Sequence, residues 1–159
     1  MAPQLWFLRH GEAVPHDSKP DEARELTAVG ENQATAAGQG LARLGVEFSA
    51  CYTSPKVRAL DTAKLACERL GVEPEEVRAV GDGFDRDDAL ALLDGHDNDA
   101  RVLVVGHEPD LSQIVHDLTG ARVDFKKGGI AGVKVARGAG ELLVLLRPRE
   151  LETLAGGSG

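Results

Sequence analysis

The sequence contains no apolar run of the roughly 20 residues that a membrane-spanning helix requires. It also has no surplus of positive charge, since 18 Lys and Arg face 26 Asp and Glu for a formal net charge of −8. Broad nucleic-acid binding rests on clustered cations that neutralise phosphates, so that class is set aside, and the expectation is no nucleic-acid or membrane partner. Cysteine is scarce: Cys51 falls in a strand-like run and Cys67 in a helix-like one, with no zinc-site spacing, and both read as reduced structural residues. The first residues lack a basic stretch followed by an apolar one, so the chain is expected to be cytoplasmic. No internal repeat, low-complexity segment or linker interrupts it. With 42% hydrophobic and 28% charged residues among 159, it reads as one globular domain over 1–150 with a flexible tail over 151–159.

What is present is an alternation of strands and helices. Residues 4–8 and 102–105 are continuous apolar runs of the kind found in buried parallel strands. Thr27 is placed to cap a helix reaching Leu44 and ended by Gly45, and its interior Gly38 and Gly40 point to close packing. Residues 48–52 predict a strand, and Ser54 followed by Pro55 predicts a capped helix to Leu70 that stops at Gly71. A weak strand over 76–80, a helix over 85–93 and a helix from Glu108 or Pro109 to Leu118 follow. Residues 130–136 and 141–146 predict a hairpin joined by Arg137-Gly138-Ala139-Gly140. The fold class is α/β, a three-layer sandwich whose mostly parallel central sheet is flanked by helices.

Chemistry gathers at the strand exits. Arg9-His10-Gly11 follows the first apolar run directly, and Gly106-His107 ends the later one. Ser54-Pro55-Lys56-Val57-Arg58 adds a second arginine at a strand-to-helix turn. Ligands of open α/β sheets bind beyond the carboxyl ends of the strands, so two histidines and two arginines there describe a phosphate site with its own nucleophile. Arg9 and Arg58 suit the planar, bidentate grip on phosphate oxygens. His10 is the candidate nucleophile, with Gly11 allowing close backbone approach, and His107 is the candidate cationic donor to the transferring group. The helices starting near Ser54 and His107 offer backbone N–H groups to an anion.

These segments resemble the histidine phosphatase superfamily. The matching pieces are Leu8-Arg9-His10-Gly11-Glu12-Ala13, Leu26-Thr27 through Gly30 with Gln33-Ala34, Ser54-Pro55 with Arg58-Ala59 and Thr62-Ala63, and Val105-Gly106-His107. The short length and the segments 106–111 and 125–131 are most similar to its SixA-type phosphohistidine phosphatases. That resemblance implies a phosphoglycerate-mutase-like fold and a transiently phosphorylated His10. Arg9, His10, Gly11, Arg58 and His107 would line the phosphate pocket, with no metal or cofactor. Larger members carry a carboxylate acid before the second histidine; Asp82 is the first candidate for that role here and Glu12 the second. The implied substrate is phosphohistidine on a protein of the histidine-containing phosphotransfer type, handled by a monomer. A small phosphoester, nucleotide or polyphosphate substrate is the alternative, and a phosphate-binding module without catalysis is the non-enzyme alternative. His16, His96, His116, Arg24, Arg43 and Lys126-Lys127 read as residues without a role in the chemistry, and Arg58 has Asp61 or Asp87 as simple ion-pair partners.

Overall fold

Alternate residues of the central strands face opposite ways, and the core is divided accordingly. Leu5, Phe7, Val102 and Val104 pack with Leu111, Ile114, Val115 and Leu118 on one face of the sheet. Trp6, Leu8, Leu103 and Val105 pack with Ala37, Leu41, Ala59, Ala63 and Leu151 on the other. The computed structural model describes residues 2–156.

Six strands form one sheet in the order β3-β2-β4-β1-β5-β6, where β1 is Gln4–Arg9, β2 Ala50–Thr53, β3 Pro74–Glu76, β4 Arg101–Gly106, β5 Ile130–Ala136 and β6 Ala139–Leu146. The pairs β1–β4, β2–β4 and β2–β3 are parallel, while β5 runs antiparallel to both β1 and β6. Helices α1 (Ala28–Arg43), α2 (Val57–Leu70) and α5 (Pro148–Leu154) cover one face; α3 (Arg86–Ala91) and α4 (Asp110–Thr119) cover the other. The expected α/β sandwich with a mostly parallel sheet is the observed one. No described helix is long and apolar enough to cross a membrane. Cys51 and Cys67 are free and buried in the core beneath α2.

Local signals explain most boundaries. Thr27 caps α1 by accepting from Gly30 N at 3.1 Å, and Gly71 ends α2 with φ of 73°. Gly38 marks the closest helix contact, since a Cβ there would lie 2.3 Å from Ala66 O of α2.

Four expectations are corrected. Ser54 does not cap α2, which starts at Val57 with Lys56 as its N-cap residue; the Ser54 hydroxyl is turned to a histidine instead. The strand expected over 76–80 is Pro74–Glu76, and the chain then coils into a 3-10 turn over Arg78–Val80 that buries Val80. The hairpin turns on Arg137 and Gly138 alone, both at positive φ (55° and 76°), the geometry that matches strand twist. Residues 151–154 of the expected tail belong to α5, and the apolar Leu151 is buried against Gly40. Residues 157–159 of that expected tail lie outside the described residues.

Candidate active site

Strand register assembles the site. β1 and β4 are neighbours with Arg9 opposite Gly106, so His10 and His107 leave the sheet side by side. β2 lies on the far side of β4 with Thr53 opposite Val105, which brings Ser54 beside His107. The two imidazole centroids are 5.2 Å apart and tilted by 56°. Both rings are buried.

Each ring has its proton located by a partner. His10 Nδ1 lies 2.7 Å from Gly11 O. A carbonyl only accepts, so Nδ1 carries the hydrogen and Nε2 keeps its lone pair. Burial pushes His10 down to about 3 against the pull of that carbonyl, with competition from His107 for a proton and the charges of Arg58 and Arg9 adding to the shift. The ring is therefore neutral at physiological pH. His107 Nε2 lies 2.8 Å from Ser54 Oγ. Ser54 is fully buried, its hydroxyl accepts from Lys56 N at 3.2 Å, and among the described residues Nε2 is the acceptor within reach of its proton, which assigns the His107 hydrogen to Nδ1. Burial, then the charges of Arg58 and Lys56, push His107 down to about 4. The expected cation is thus a neutral imidazole in this structure, for the physical reason that two nearby cations and a dry setting disfavour a third charge.

His107 Nδ1 and Arg9 Nε are buried polar atoms with no partner. Buried polar groups are nearly always satisfied, and two orphaned donors beside a deprotonated Nε2 suit an anion. Arg9 is anchored elsewhere, donating from Nη1 to Phe125 O at 2.9 Å. Gly11 sits in a space no side chain could share, since a Cβ would come 2.5 Å from Gly30 O. Its N–H donates to Thr62 Oγ1 at 3.1 Å, and that hydroxyl donates to Arg58 O at 2.7 Å.

Arg58 pairs with neither Asp61 nor Asp87. Its Nη1 donates to Asp21 O at 2.7 Å and its Nη2 reaches Asp21 Oδ2 at 3.3 Å. The same carboxylate takes Lys56 Nζ at 2.9 Å and Arg24 Nη1 at 3.1 Å. Lys56, with Arg24 and Arg58, holds the Asp21 carboxyl well below the usual carboxylate range. Arg24 is buried and also donates to Val14 O at 2.9 Å, so its reading as a solvated residue is overturned. Sequence reasoning does not find Asp21, Arg24, Lys56 or the Ser54–His107 contact. The loop before α1 has no hydrophobic period to locate Asp21 and Arg24; Thr62, four residues after Arg58 on one helix, is the readable clue.

The two acid candidates separate. Glu12 Oε2 accepts from Thr27 Oγ1 at 2.7 Å and its backbone N–H donates to Gln33 Oε1 at 2.8 Å, so it clasps the start of α1. Asp82 stands at the rim with its carboxylate 2.7 Å from Lys56 Nζ. His16, His116, Arg43, Lys126 and Lys127 are exposed, while His96 pairs with Tyr52 Oη at 2.8 Å away from the crevice. Among the described residues no group of three His, Cys, Asp or Glu side chains is placed to hold a metal ion.

An α/β fold in which parallel strands and the start of α2 bring two neutral imidazoles and two arginines to one buried, anion-ready crevice defines a phosphatase of the histidine type. The chain belongs to the histidine phosphatase superfamily: the family model for its branch 1 matches residues 5–81, and relatives extend the likeness over the remainder. An uncharacterized protein of Picosynechococcus sp. is 34% identical over 162 aligned positions, spanning 93% of this chain and 98% of that protein. The structure of the protein histidine phosphatase SixA complexed with tungstate superposes with a TM-score of 0.84 at 26% identity, covering 93% of this chain and 99% of that one. Phosphoglycerate mutase from Bacillus anthracis shares the fold, with a TM-score of 0.76 at 15% identity and 96% of each chain covered.

Proposed function

We propose that this chain hydrolyses phosphohistidine carried on a protein, through a covalent phosphoryl intermediate on His10. The observation that carries the reading is the His10 tautomer: Nδ1–H bound to Gly11 O leaves Nε2 unprotonated in a ring too buried to take up a proton. In the first step the Nε2 lone pair forms a bond to phosphorus while the P–N bond to the substrate imidazole breaks. That imidazole leaves with the electron pair, and it leaves neutral because its other ring nitrogen, unprotonated in the neutral phosphoimidazole, has first taken up a proton from solvent. In the second step a water oxygen forms a P–O bond as the P–N bond to His10 breaks, and the water proton goes to the departing phosphate and solvent.

Catalysis of phosphoryl transfer is mainly positioning and charge neutralisation. Arg9 and Arg58 supply the fixed positive charge, and His107 donates from Nδ1. Binding a phosphoryl dianion beside His107 raises its proton affinity and can make it the expected cation. Gly11 lets the loop close against α1, which orients the His10 ring. The proposed partner is a phosphotransfer-type protein presenting phosphohistidine to a monomer of this chain, and the likeness to SixA supports it.

The test is phosphate release from a phosphohistidine protein and from an aryl phosphate, side by side in chelator, with His10→Ala as control. Fast release from phosphohistidine that depends on His10 is the expected result. A preference for the ester moves the reading to a small-molecule phosphatase. Stoichiometric phosphate binding without turnover of either substrate leaves a binding module.

A further inference from the structure

We infer that Lys56 sets the substrate class of this site, by holding the rim carboxylate of Asp82 in an ion pair that keeps it from acting as proton donor. The inference rests on the proposed phosphatase reading and deepens it. Asp82 follows Gly81, which packs over the turn before α2; a Cβ at Gly81 would lie 3.8 Å from Pro55 Cδ and 3.9 Å from Ser54 Oγ. Asp82 therefore hangs at the edge of the crevice on the Ser54–His107 side. A hollow of about 410 Å³ opens there, lined by Glu22, Pro55, Lys56, Arg78, Gly81 and Asp82, and it has room for a leaving group.

The Lys56 side chain is only 11% exposed while that of Asp82 is 87% exposed, so the cation is built in and the carboxylate comes to it. The N–O distance is 2.7 Å, and the same ammonium reaches Asp21 at 2.9 Å. Other charged groups face Asp82 from each side: His107 from β4, Asp21 from the loop before α1, and Asp110 from the start of α4. Burial raises the Asp110 carboxyl, and the negative charge of Asp82 adds to that shift. Lys56 dominates, and it holds Asp82 below the ordinary carboxylate range.

The consequence is chemical. An alkyl phosphate departs as an alkoxide and needs a proton from an acid as the P–O bond breaks. A carboxylate locked against an ammonium cannot give one near neutral pH. A phosphoimidazole needs no such donor from the protein, because its remote ring nitrogen is basic and takes up a proton from solvent before the P–N bond breaks. Lys56 thus acts as a positioning residue that discriminates against esters through Asp82.

The experiment measures kcat/KM against pH from 5 to 8 for an alkyl phosphate and for a phosphohistidine protein. It uses the wild type, Lys56→Gln, Lys56→Arg, Asp82→Asn and the Lys56→Gln/Asp82→Asn double variant. A freed Asp82 with an ordinary pKa of about 3.9 is protonated to about one part in forty at pH 5.5, and general acids contribute about 10²- to 10⁴-fold. The ester-to-phosphohistidine ratio should therefore rise about threefold to several hundredfold in Lys56→Gln at pH 5 to 5.5 and fall away as pH rises. The gain should vanish in the double variant, and Lys56→Arg should return the ratio toward wild type. An unchanged ratio, equal losses on both substrates, or a gain that survives in the double variant overturns the assignment. If Lys56→Gln misfolds, Lys56→Arg and Asp82→Asn carry the test: a strong loss of ester hydrolysis in Asp82→Asn alone shows that Asp82 already donates in the wild type and likewise overturns it. Failure of the underlying reading is seen separately, as absent or His10-independent turnover of phosphohistidine by the wild type.

Discussion

His10 and His107 leave adjacent parallel strands at the same level, yet they are held by different kinds of partner. The His10 ring is bonded to the carbonyl of the next residue. The His107 ring is bonded to Ser54, 53 residues away on another strand. The first arrangement is local: the ring bonds the carbonyl of the next residue in the chain. The second exists only when β2 and β4 are paired in register. The difference teaches that the proposed nucleophile is set by a short motif, while the proposed donor is set by the sheet.

The most severe way to break the pair is to remove the nucleophile. His10→Ala should abolish turnover and acid-labile labelling of the protein while phosphate binding persists, measured by phosphate release and labelled-phosphate capture. Next in size is the glycine beside each ring. Gly11→Ala drives a Cβ to 2.5 Å from backbone at Gly30, whereas Gly106→Ala meets side chains, Leu111 at 3.3 Å and Val80 at 3.5 Å. The first should cost about 3 kcal/mol or more and the second about 1 kcal/mol, read as unfolding midpoints in urea.

A third effect comes from proton linkage. Both histidines have folded pKa values below the unfolded 6.5, at about 3 and about 4. Below 6.5 the unfolded chain therefore binds protons that the folded chain refuses, so stability is full above pH 6.5 and declines as pH falls toward 4. A loss of a few kcal/mol between pH 7 and pH 4.5 is expected, with the slope reduced in His107→Asn. The smallest effect sharpens the contrast between the rings. Ser54→Ala frees the His107 tautomer and leaves the His10 contact alone, so kcat/KM should fall about ten- to a hundredfold. Imidazole NMR should show the change at His107 and not at His10.

Legibility in the sequence follows the same division. The apolar runs before His10 and His107, the Thr27 cap and the Gly71 stop are signals carried within a few residues, and each stands in the structure. Arg9-His10-Gly11 and Arg58 are readable because motif and position coincide. Asp21 and Arg24 are not, since the loop that bears them has no periodicity and Asp21 finds Lys56 and Arg58 at the start of α2 only in the folded chain. Ser54 reads as a helix cap because its local context, a hydroxyl before proline, is the same whether it faces the backbone or a distant histidine. Glu12 looks like an acid through nearness to His10 in sequence, and the start of α1 claims it instead.

The sequence by itself determined the α/β alternation, the strand exits that carry the histidines and arginines, and the place of this chain in its family. Those properties depend on hydrophobic period and on contacts between near neighbours. Only the tertiary structure decided where each proton sits, which cations share Asp21, and that Asp82 is bound to Lys56. Those outcomes depend on burial and on charges brought within about 3 Å by strand register, across separations that no local pattern encodes.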